Sequence, residues 1–315
     1  MEIIGHERPL AYLRAVATRG ELAHAYLFVG PAGVGKRAVA EALARELLCS
    51  AKRHDFGGCG ACADCALMAN RAHPDVVTLS PAERLLTDAD KKDIGIEDVH
   101  ELTRRLAATA WRGGWRVAIV DGVERMSRDA MTALLKTLEE PGERTVFVLI
   151  AQTLSGILPT IRSRAVPLAF TPVADDELAP MLASLPAGER APALALANGR
   201  PGIAVRLAND AEFRERALSE QREYHTLLRA ALPTQFSFAE AESREPGRLE
   251  GFLSYAAAEL RKDLAAAVGE RQQRIAAALG IMLKTLASLA GANVNRRLAA
   301  DHLFFQLDGL RRQTV

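Results

Sequence analysis

The sequence predicts an α/β domain with a parallel sheet, followed by a small helical domain and an all-α C-terminal domain. In the first half of the chain, short apolar runs rich in β-forming residues alternate with helical patterns, which is typical of a parallel sheet. Breaks rich in Pro and Gly come next, and beyond them only helical periodicity is found. At 315 residues, with 49% hydrophobic and 5% aromatic residues, the chain suits two or three mostly helical domains.

Three buried strands are predicted, over residues 24–29, 115–121 and 144–152. Each is a short apolar run that enters or leaves a polar or Gly-containing loop. An amphipathic helix is predicted from Lys36 to Leu48, where apolar residues recur every four positions. A second helix is predicted over residues 128–141, where a proline closes it.

The changes of pattern also predict the domain boundaries. Residues 1–166 are expected to form the α/β domain, with a Cys-rich insertion at 49–65, residues 167–208 a small helical domain, and residues 212–315 the all-α domain. The net charge of +1 argues against a protein that coats nucleic acid through bulk electrostatics. There is no signal-peptide pattern, and no apolar run reaches the roughly 20 residues that span a membrane. We therefore expect a cytoplasmic protein with no membrane partner.

Residues 30–37, GPAGVGKR, predict a phosphate-binding loop (P-loop) between the first strand and the following helix. In such a loop, backbone N–H groups at a helix N-terminus point at the phosphates, and a Lys neutralises their charge. Glycines are needed because side chains would block this approach. The candidate binding residues of the loop are Gly30, Gly33, Gly35 and Lys36.

Two parts that nucleotide hydrolysis needs depart from the usual pattern. The residue after Lys36 is normally Ser or Thr, whose hydroxyl binds Mg²⁺, but here it is Arg37, which offers only donors. Asp121 ends the second strand, where it would hold Mg²⁺, yet Gly122 replaces the Glu that usually follows to polarise water. Glu124 is expected to point elsewhere, in a solvated or structural role. The prediction is a degenerate site that can bind ATP or ADP, binds Mg²⁺ poorly and has no independent ATPase activity.

All four cysteines of the chain fall between positions 49 and 65, as Cys49, Cys59, Cys62 and Cys65. This spacing delivers four thiolates within one loop, which favours a closed, tetrahedral, structural Zn²⁺ site. An iron–sulfur cluster, a disulfide and free thiols are the alternatives that the spacing leaves open. His54 and His73 are close in sequence, but four thiolates suffice for the metal, so both are expected at the surface.

The order of these motifs resembles that of the AAA+ clamp-loader subunits of bacterial DNA polymerase III. The resemblance covers roughly residues 3–205. Besides the P-loop region and the cysteines, it rests on VDGVERM at 120–126, LLKTLEEP at 134–141 and LPTIRSRA at 158–165. It implies a RecA-like AAA+ domain, a helical lid domain and a collar domain through which subunits oligomerise.

Two kinds of subunit occur in this family, and the departures from the usual P-loop pattern indicate which kind this sequence resembles. The ATPase subunits (gamma/tau) carry Ser or Thr after the P-loop Lys, an Asp-Glu pair at the strand end and a sensing Arg in the lid. Here the corresponding residues are Arg37, Gly122 and Gly202, although Arg200 lies two residues from the last. The sequence therefore resembles the non-hydrolysing stator type of subunit, and an active ATPase of the gamma/tau type is the alternative.

The segment Ser163-Arg164-Ala165 implies a role towards a neighbouring subunit. In the family, a Ser-Arg-Cys motif projects an Arg into the next subunit's ATP site, where it stabilises charge on the transferring phosphate. Arg164, with Ser163 beside it, is expected to be this arginine finger; the alternative is that Arg162 and Arg164 are ordinary surface charges. The implied partners are gamma/tau and delta subunits in a hetero-pentameric ring, which places the sliding clamp on primer-template DNA.

Overall fold

The computed structural model describes residues 3–51, 56–83, 93–111, 114–242, 248–289 and 294–312. The chain forms two compact units, the first made of residues 1–183 and 199–205 and the second of residues 184–198 and 206–315. The predicted division into three domains places its boundaries differently and remains a prediction.

The first unit is an α/β structure. Its elements in chain order are α1 (Glu7–Arg19), β1 (Ala25–Val29), α2 (Lys36–Leu48), α3 (Ala63–Ala69), β2 (Val76–Leu79), α4 (Ile96–Ala107), β3 (Arg116–Asp121), α5 (Arg128–Glu139), β4 (Thr145–Ala151), α6 (Pro159–Arg162), β5 (Val166–Ala169) and α7 (Asp175–Leu178). Short 3₁₀ segments follow β3 and α7, at Val123–Arg125 and Ala179–Leu182.

The five strands form one parallel sheet in the order β2-β3-β4-β1-β5. Its central strand, β4, is buried along its whole length, as expected for a parallel sheet covered on both faces. Val29 pairs with Ala151, and Asp121 with Ile150. This register brings the carboxyl ends of β1, β3 and β4 to one edge of the sheet.

Alternate strand residues supply two separate cores, because successive side chains of a strand point to opposite faces. On one face, Leu27 and Leu149 pack with residues of α4 and α5 such as Leu102. On the other face, Phe28 packs with residues of α1 and α2 such as Leu43.

The second unit is helical throughout its described residues. It contains α8 (Ala187–Ala197), the end of α9 (Pro201–Asn209), α10 (Ala211–Arg229), α11 (Leu232–Glu242), α12 (Arg248–Ala266), α13 (Glu270–Leu289) and α14 (Arg296–Arg312). Its core is built around Phe252, whose ring lies 5.3 Å from Tyr224, 5.3 Å from Phe238 and 5.8 Å from Phe304, centroid to centroid. Such tilted aromatic contacts add to the stability gained from burial.

The predicted fold class, a P-loop α/β domain with a parallel sheet followed by helical regions, is confirmed. The three predicted strands correspond to β1, β3 and β4, and the helix predicted at Lys36–Leu48 begins and ends at those residues. The sequence pattern missed β2 and β5, which have four residues each and lie at the sheet edges. Pro167 in β5 is tolerated because an edge strand pairs on one side only. No helix in the described part of the chain has the length and hydrophobicity that crossing a membrane requires.

Candidate functional site

A cavity of about 530 Å³ lies at the carboxyl edge of the sheet. Ligands of open parallel sheets bind in a crevice at this edge, where neighbouring connections leave on opposite faces. Of the predicted nucleotide-site residues, five line this cavity: Gly33, Gly35, Lys36, Arg37 and Asp121. Gly30 contributes to it through its carbonyl group, which accepts a hydrogen bond from Lys36.

The glycines of the loop are required by its backbone geometry. A Cβ at Gly30 would lie 2.1 Å from the carbonyl oxygen of Phe170, a distance that no side chain tolerates. Gly33 and Gly35 have φ angles of 77° and 113°, in the left-handed region that favours glycine. The loop therefore turns sharply into α2, whose N-cap is Gly35.

Lys36, the first residue of α2, is 6% exposed. Its Nζ donates to the carbonyl oxygens of Gly30 at 2.5 Å and Pro31 at 2.7 Å. Burial lowers the pKa of Lys36, and the negative charges of Asp121 and Glu124 act in the opposite direction. The ammonium group thus lies inside the loop, among the carboxylates of the cavity.

Arg37 is held by two carboxylates. Its Nε donates to Glu41 Oε1 at 3.0 Å and its Nη2 to Glu83 Oε2 at 2.6 Å. Burial lowers the pKa of Arg37, but the hydrogen bonds to Glu83 and Glu41 outweigh burial, so the net shift is upward. The position that would carry a metal-binding hydroxyl is therefore taken by a fixed cation, which disfavours Mg²⁺ there.

Asp121, at the end of β3, is the carboxylate that the sequence predicts as a metal ligand. Burial raises its pKa, while the charges of Arg37 and Lys36 oppose that rise. The net shift is upward, so the positive charges of Arg37 and Lys36 offset the effect of burial only in part.

The expectation that Glu124 points away from this site is wrong. Gly122 has a φ of 89° and its N–H donates to Ile150 O at 2.9 Å. This turn folds the chain back over the end of β4, so that Glu124 lines the cavity and its Oε1 accepts from Gln152 N at 3.0 Å. Its buried Oε2 has no hydrogen-bond partner among the described residues.

Gly202, the residue at the predicted sensing position, contacts the P-loop directly. Its N–H, in the first turn of α9, donates to Gly33 O at 2.8 Å. A Cβ at Gly202 would lie 2.9 Å from that oxygen and 3.3 Å from Gly33 Cα. A side chain at position 202 would therefore collide with the loop backbone.

The four cysteines form a compact cluster. Their Sγ atoms all lie within 4.8 Å of one another, with Cys49 and Cys62 at 3.9 Å and Cys59 and Cys65 at 4.0 Å. Sulfurs bound to one tetrahedral ion at ~2.3 Å are roughly 3.8 Å apart, so the cluster fits a single metal ion. All four are free cysteines, which removes the disulfide alternative.

The surroundings of the sulfurs favour thiolates at Cys59 and Cys62, where hydrogen bonds lower the pKa, but not at the buried Cys65. Backbone N–H groups donate to Sγ of Cys49, Cys59 and Cys62 at 3.2 to 3.4 Å. The Ser50 hydroxyl, followed by the Cys65 N–H, lowers the pKa of Cys62 to about 5, whereas burial raises the pKa of Cys65 to about 12. A bound cation would compensate the buried thiolate of Cys65.

His73 is not at the surface as expected, but 5% exposed. Its Nε2 lies 3.6 Å from Oδ1 of Asp64, a residue of α3 that lies between Cys62 and Cys65 in the sequence, and its Nδ1 accepts from Asp75 N at 3.1 Å. The ring also meets Trp111 edge to face at a centroid distance of 6.1 Å. His73 therefore links the cysteine loop to the segment that enters β2. His54 lies outside the described residues.

Arg164 and Ser163 lie apart from the P-loop cavity, in the turn between α6 and β5. Arg164 Nη2 is 2.6 Å from Glu139 Oε1 of α5, and Nη1 donates to Thr160 O at 3.1 Å. The Ser163 hydroxyl donates to the same carbonyl at 3.1 Å. The Arg164 side chain is 36% exposed, so it is reachable from outside the unit.

Sequence reasoning missed Glu41, Arg71 and Glu83 as members of the site. Glu41 could have been predicted, because Arg37 and Glu41 are four residues apart on one helix, a spacing that favours an ion pair. Glu83 lies 46 residues from Arg37, and no local pattern joins them.

Comparison with known proteins places these features in a family. The family described as DNA polymerase III, delta subunit, matches residues 5–174. DNA polymerase III subunit delta' of Pseudomonas aeruginosa is 40% identical over 203 residues, which cover 63% of this chain and 60% of that protein. Subunit delta' of Haemophilus influenzae is 38% identical over 141 residues, covering 45% and 40%. Subunit gamma/tau of Mycobacterium tuberculosis is 36% identical over 165 residues, covering 52% and 27%.

The matched segments span 60% or less of these relatives' lengths. Both delta' matches have a higher identity than the gamma/tau match, 40% and 38% against 36%, as the departures at Arg37 and Gly122 predict, and the Pseudomonas aeruginosa match also covers more of the chain. The predicted resemblance to a subunit of bacterial DNA polymerase III is confirmed. Because the family match covers more than half of the chain, the chain belongs to the DNA polymerase III delta subunit family, with delta' subunits among its relatives.

Proposed function

We propose that this chain is the stator subunit of a replicative clamp loader, an AAA+ subunit that hydrolyses ATP weakly or not at all. The observation that carries the proposal is the fixed position of Arg37. Bound to Glu41 and Glu83, it puts a guanidinium where hydrolysis requires a metal ligand. The P-loop keeps the geometry for binding the phosphates of ATP or ADP, while Mg²⁺ is disfavoured.

The subunit contributes to catalysis through Arg164, which acts in the ATP site of a neighbour. Its guanidinium is partly exposed and lies away from the cavity of its own chain. In the isolated chain its Nη2 lies 2.6 Å from Glu139 Oε1 and its Nη1 donates to the Thr160 carbonyl, so in the assembly the guanidinium would exchange these contacts for the phosphate of the neighbour. A guanidinium presented in this way stabilises the charge that develops on a transferring phosphoryl group.

Partners follow from family membership. The chain assembles with gamma/tau and delta subunits in a hetero-pentameric ring, through its C-terminal helices, and the ring loads the sliding clamp on primer-template DNA. Cys49, Cys59, Cys62 and Cys65 hold one structural Zn²⁺, whose closed coordination leaves no position for a substrate. The ion closes the loop that follows α2.

An active ATPase of the gamma/tau type is the second candidate, and one observation favours it. Glu124 lines the cavity with a buried oxygen that has no hydrogen-bond partner among the described residues. That oxygen would accept a proton or a hydrogen bond from water. Turnover of Mg-ATP by the isolated, zinc-replete chain, abolished by Glu124→Gln, would establish this function in place of the stator.

The decisive experiment measures clamp- and DNA-stimulated ATPase of the reconstituted loader with wild-type chain, Arg164→Ala or Arg162→Ala. Arg162 is a matched control because it is an exposed arginine two residues away. We expect Arg164→Ala to reduce turnover by about 10³-fold while the complex still assembles, and Arg162→Ala to leave turnover unchanged. Equal turnover in all three complexes would show that Arg164 is not an arginine finger and would leave the chain with a structural role only.

A further inference from the structure

Glu83 lies between two arginines at the edge of the P-loop cavity. Its Oε2 accepts from Arg37 Nη2 at 2.6 Å, and its Oε1 from Arg71 Nη1 at 2.5 Å. The backbone of Glu83 is fixed in a turn after β2, where its N–H donates to Ser80 Oγ at 2.9 Å and its carbonyl accepts from Ser80 N at 3.1 Å. The carboxylate is therefore tethered, with one guanidinium on each oxygen.

This arrangement forms part of the wall between two cavities. Arg37, Glu41 and Arg71 line both the P-loop cavity of about 530 Å³ and a neighbouring cavity of about 350 Å³, which Glu83 and His73 also line. The side chain of Glu83 reaches from the second cavity to the arginines of the first. Moving it would release Nη1 of Arg71 and Nη2 of Arg37, while Nε of Arg37 would keep its hydrogen bond to Glu41.

Glu83 compensates two of the cations that line the P-loop cavity. Among the described residues, the basic residues that line it are Lys36, Arg37, Arg71 and Arg125. Glu83 contacts Arg37 and Arg71, whereas Asp93 lies 3.5 Å from Arg125. Without Glu83, two guanidinium groups next to the P-loop would lose the carboxylate that they share.

Two guanidinium groups that share one carboxylate also have the chemistry of a phosphate clamp. Guanidinium donors match carboxylate and phosphate oxygens alike, and a phosphate offers more charge and more acceptors than a carboxylate. The clamp lies beside the backbone N–H groups of the P-loop and Lys36, which recognise phosphates.

We propose that Arg37 and Arg71 form a phosphate-binding clamp in which Glu83 is a tethered competitor, so that a nucleoside diphosphate or triphosphate binds weakly, without Mg²⁺, by displacing Glu83. The proposal rests on the phosphate-binding P-loop of the proposed function. Arg37 supplies at this position the positive charge that Mg²⁺ supplies in hydrolysing relatives of the fold. No bond is made or broken.

The test measures binding of ADP to the full, zinc-replete chain by calorimetry, in Mg²⁺-free buffer and again with Mg²⁺. Glu83→Gln keeps the shape of the side chain and removes its charge. We expect it to bind ADP about tenfold tighter than wild type, with or without Mg²⁺, because two charge-assisted hydrogen bonds no longer compete. Adding Arg71→Ala to Glu83→Gln should abolish that gain. Glu220→Gln, which removes an equal charge from an exposed pair with Arg216, should behave as wild type.

Each other outcome overturns part of the reasoning. Equal, measurable affinity of wild type and Glu83→Gln would refute the competitor and leave the P-loop of the proposed function intact. Lack of ADP binding by either chain at millimolar concentration would refute the clamp and nucleotide binding together, while the loader assay with Arg164→Ala would still test the stator. A gain that requires Mg²⁺ would refute the role of Arg37. If Glu83→Gln does not fold, by circular dichroism, Glu83→Asp serves instead, because a side chain one methylene shorter cannot span both arginines.

Discussion

Replacing Gly202 with Ala tests whether the contact between α9 and the P-loop is as close as the structure has it. The new Cβ would lie 2.9 Å from Gly33 O and 3.3 Å from Gly33 Cα. Both are backbone atoms, so no side-chain rotation relieves the collision. The helix or the loop must move by a few tenths of an ångström, which lengthens the Gly202 N to Gly33 O hydrogen bond of 2.8 Å.

The expected change in the opening free energy of α9 is the difference between two destabilising effects and one stabilising effect. Overpacking against backbone costs about 1–3 kcal/mol, and a weakened hydrogen bond at the helix N-terminus costs up to about 1 kcal/mol. Replacing Gly by Ala in a helix contributes about 1 kcal/mol of stability in the other direction. The net expectation is that α9 opens more easily by up to about 3 kcal/mol, with a central value of about 1.5 kcal/mol.

Gly280→Ala is the matched control. Gly280 lies inside α13, and a Cβ there would meet nothing within 4 Å. Only the helix-propensity effect then applies, so α13 should become more stable by about 0.5–1 kcal/mol. The two substitutions are chemically identical, yet opposite signs are expected.

Amide hydrogen exchange, followed by mass spectrometry, measures both effects locally, because opening free energies differ between parts of a structure. Peptides covering residues 199–209 and 30–36 should exchange faster in Gly202→Ala than in wild type. Peptides covering α13 should exchange more slowly in Gly280→Ala. Unchanged or increased protection of α9 in Gly202→Ala would refute the close contact and the reason given for a glycine at this position.

Two further predictions concern the cysteine loop. His73→Ala should lower the free energy of unfolding by about 2–4 kcal/mol, because a buried ring that packs on Trp111 and lies 3.6 Å from the Asp64 carboxylate is removed. Urea denaturation checks this, and the exposed His302→Ala is expected within about 0.5 kcal/mol of wild type. Equal midpoints for all three proteins would contradict the buried link. Cys59→Ser should carry much less zinc by elemental analysis than the wild-type chain, which should hold one equivalent, while Ser50→Ala removes only a hydroxyl near Cys62 and should keep the metal. Full zinc content in Cys59→Ser would argue against a four-thiolate site.

Much of the fold could be predicted because its signals are local. Strands β1, β3 and β4 are buried on both faces, so they appear in the sequence as continuous apolar runs. Strands β2 and β5 are edge strands of four residues that are partly exposed, too short to show a clear periodicity, and β5 also contains Pro167.

The sequence by itself determined which chemical groups are present and in what order. A strand, a Gly-rich turn, a Lys and a helix specify a phosphate loop because the turn geometry depends only on neighbouring residues, and four cysteines within 17 positions need only a short loop to meet. The replacement of a hydroxyl by Arg37 could likewise be recognised from one position in the chain.

Only the tertiary structure decided what these groups do to one another. Glu83 meets Arg37 across 46 residues and Gly202 meets Gly33 across the fold, because the parallel sheet gathers segments distant in sequence at one edge. His73 is buried by its contacts with Asp64 and Trp111, and Glu124 enters the cavity because the turn at Gly122 brings it to Gln152. The energies of such contacts depend on distances of a few tenths of an ångström, which packing sets and which no local pattern encodes.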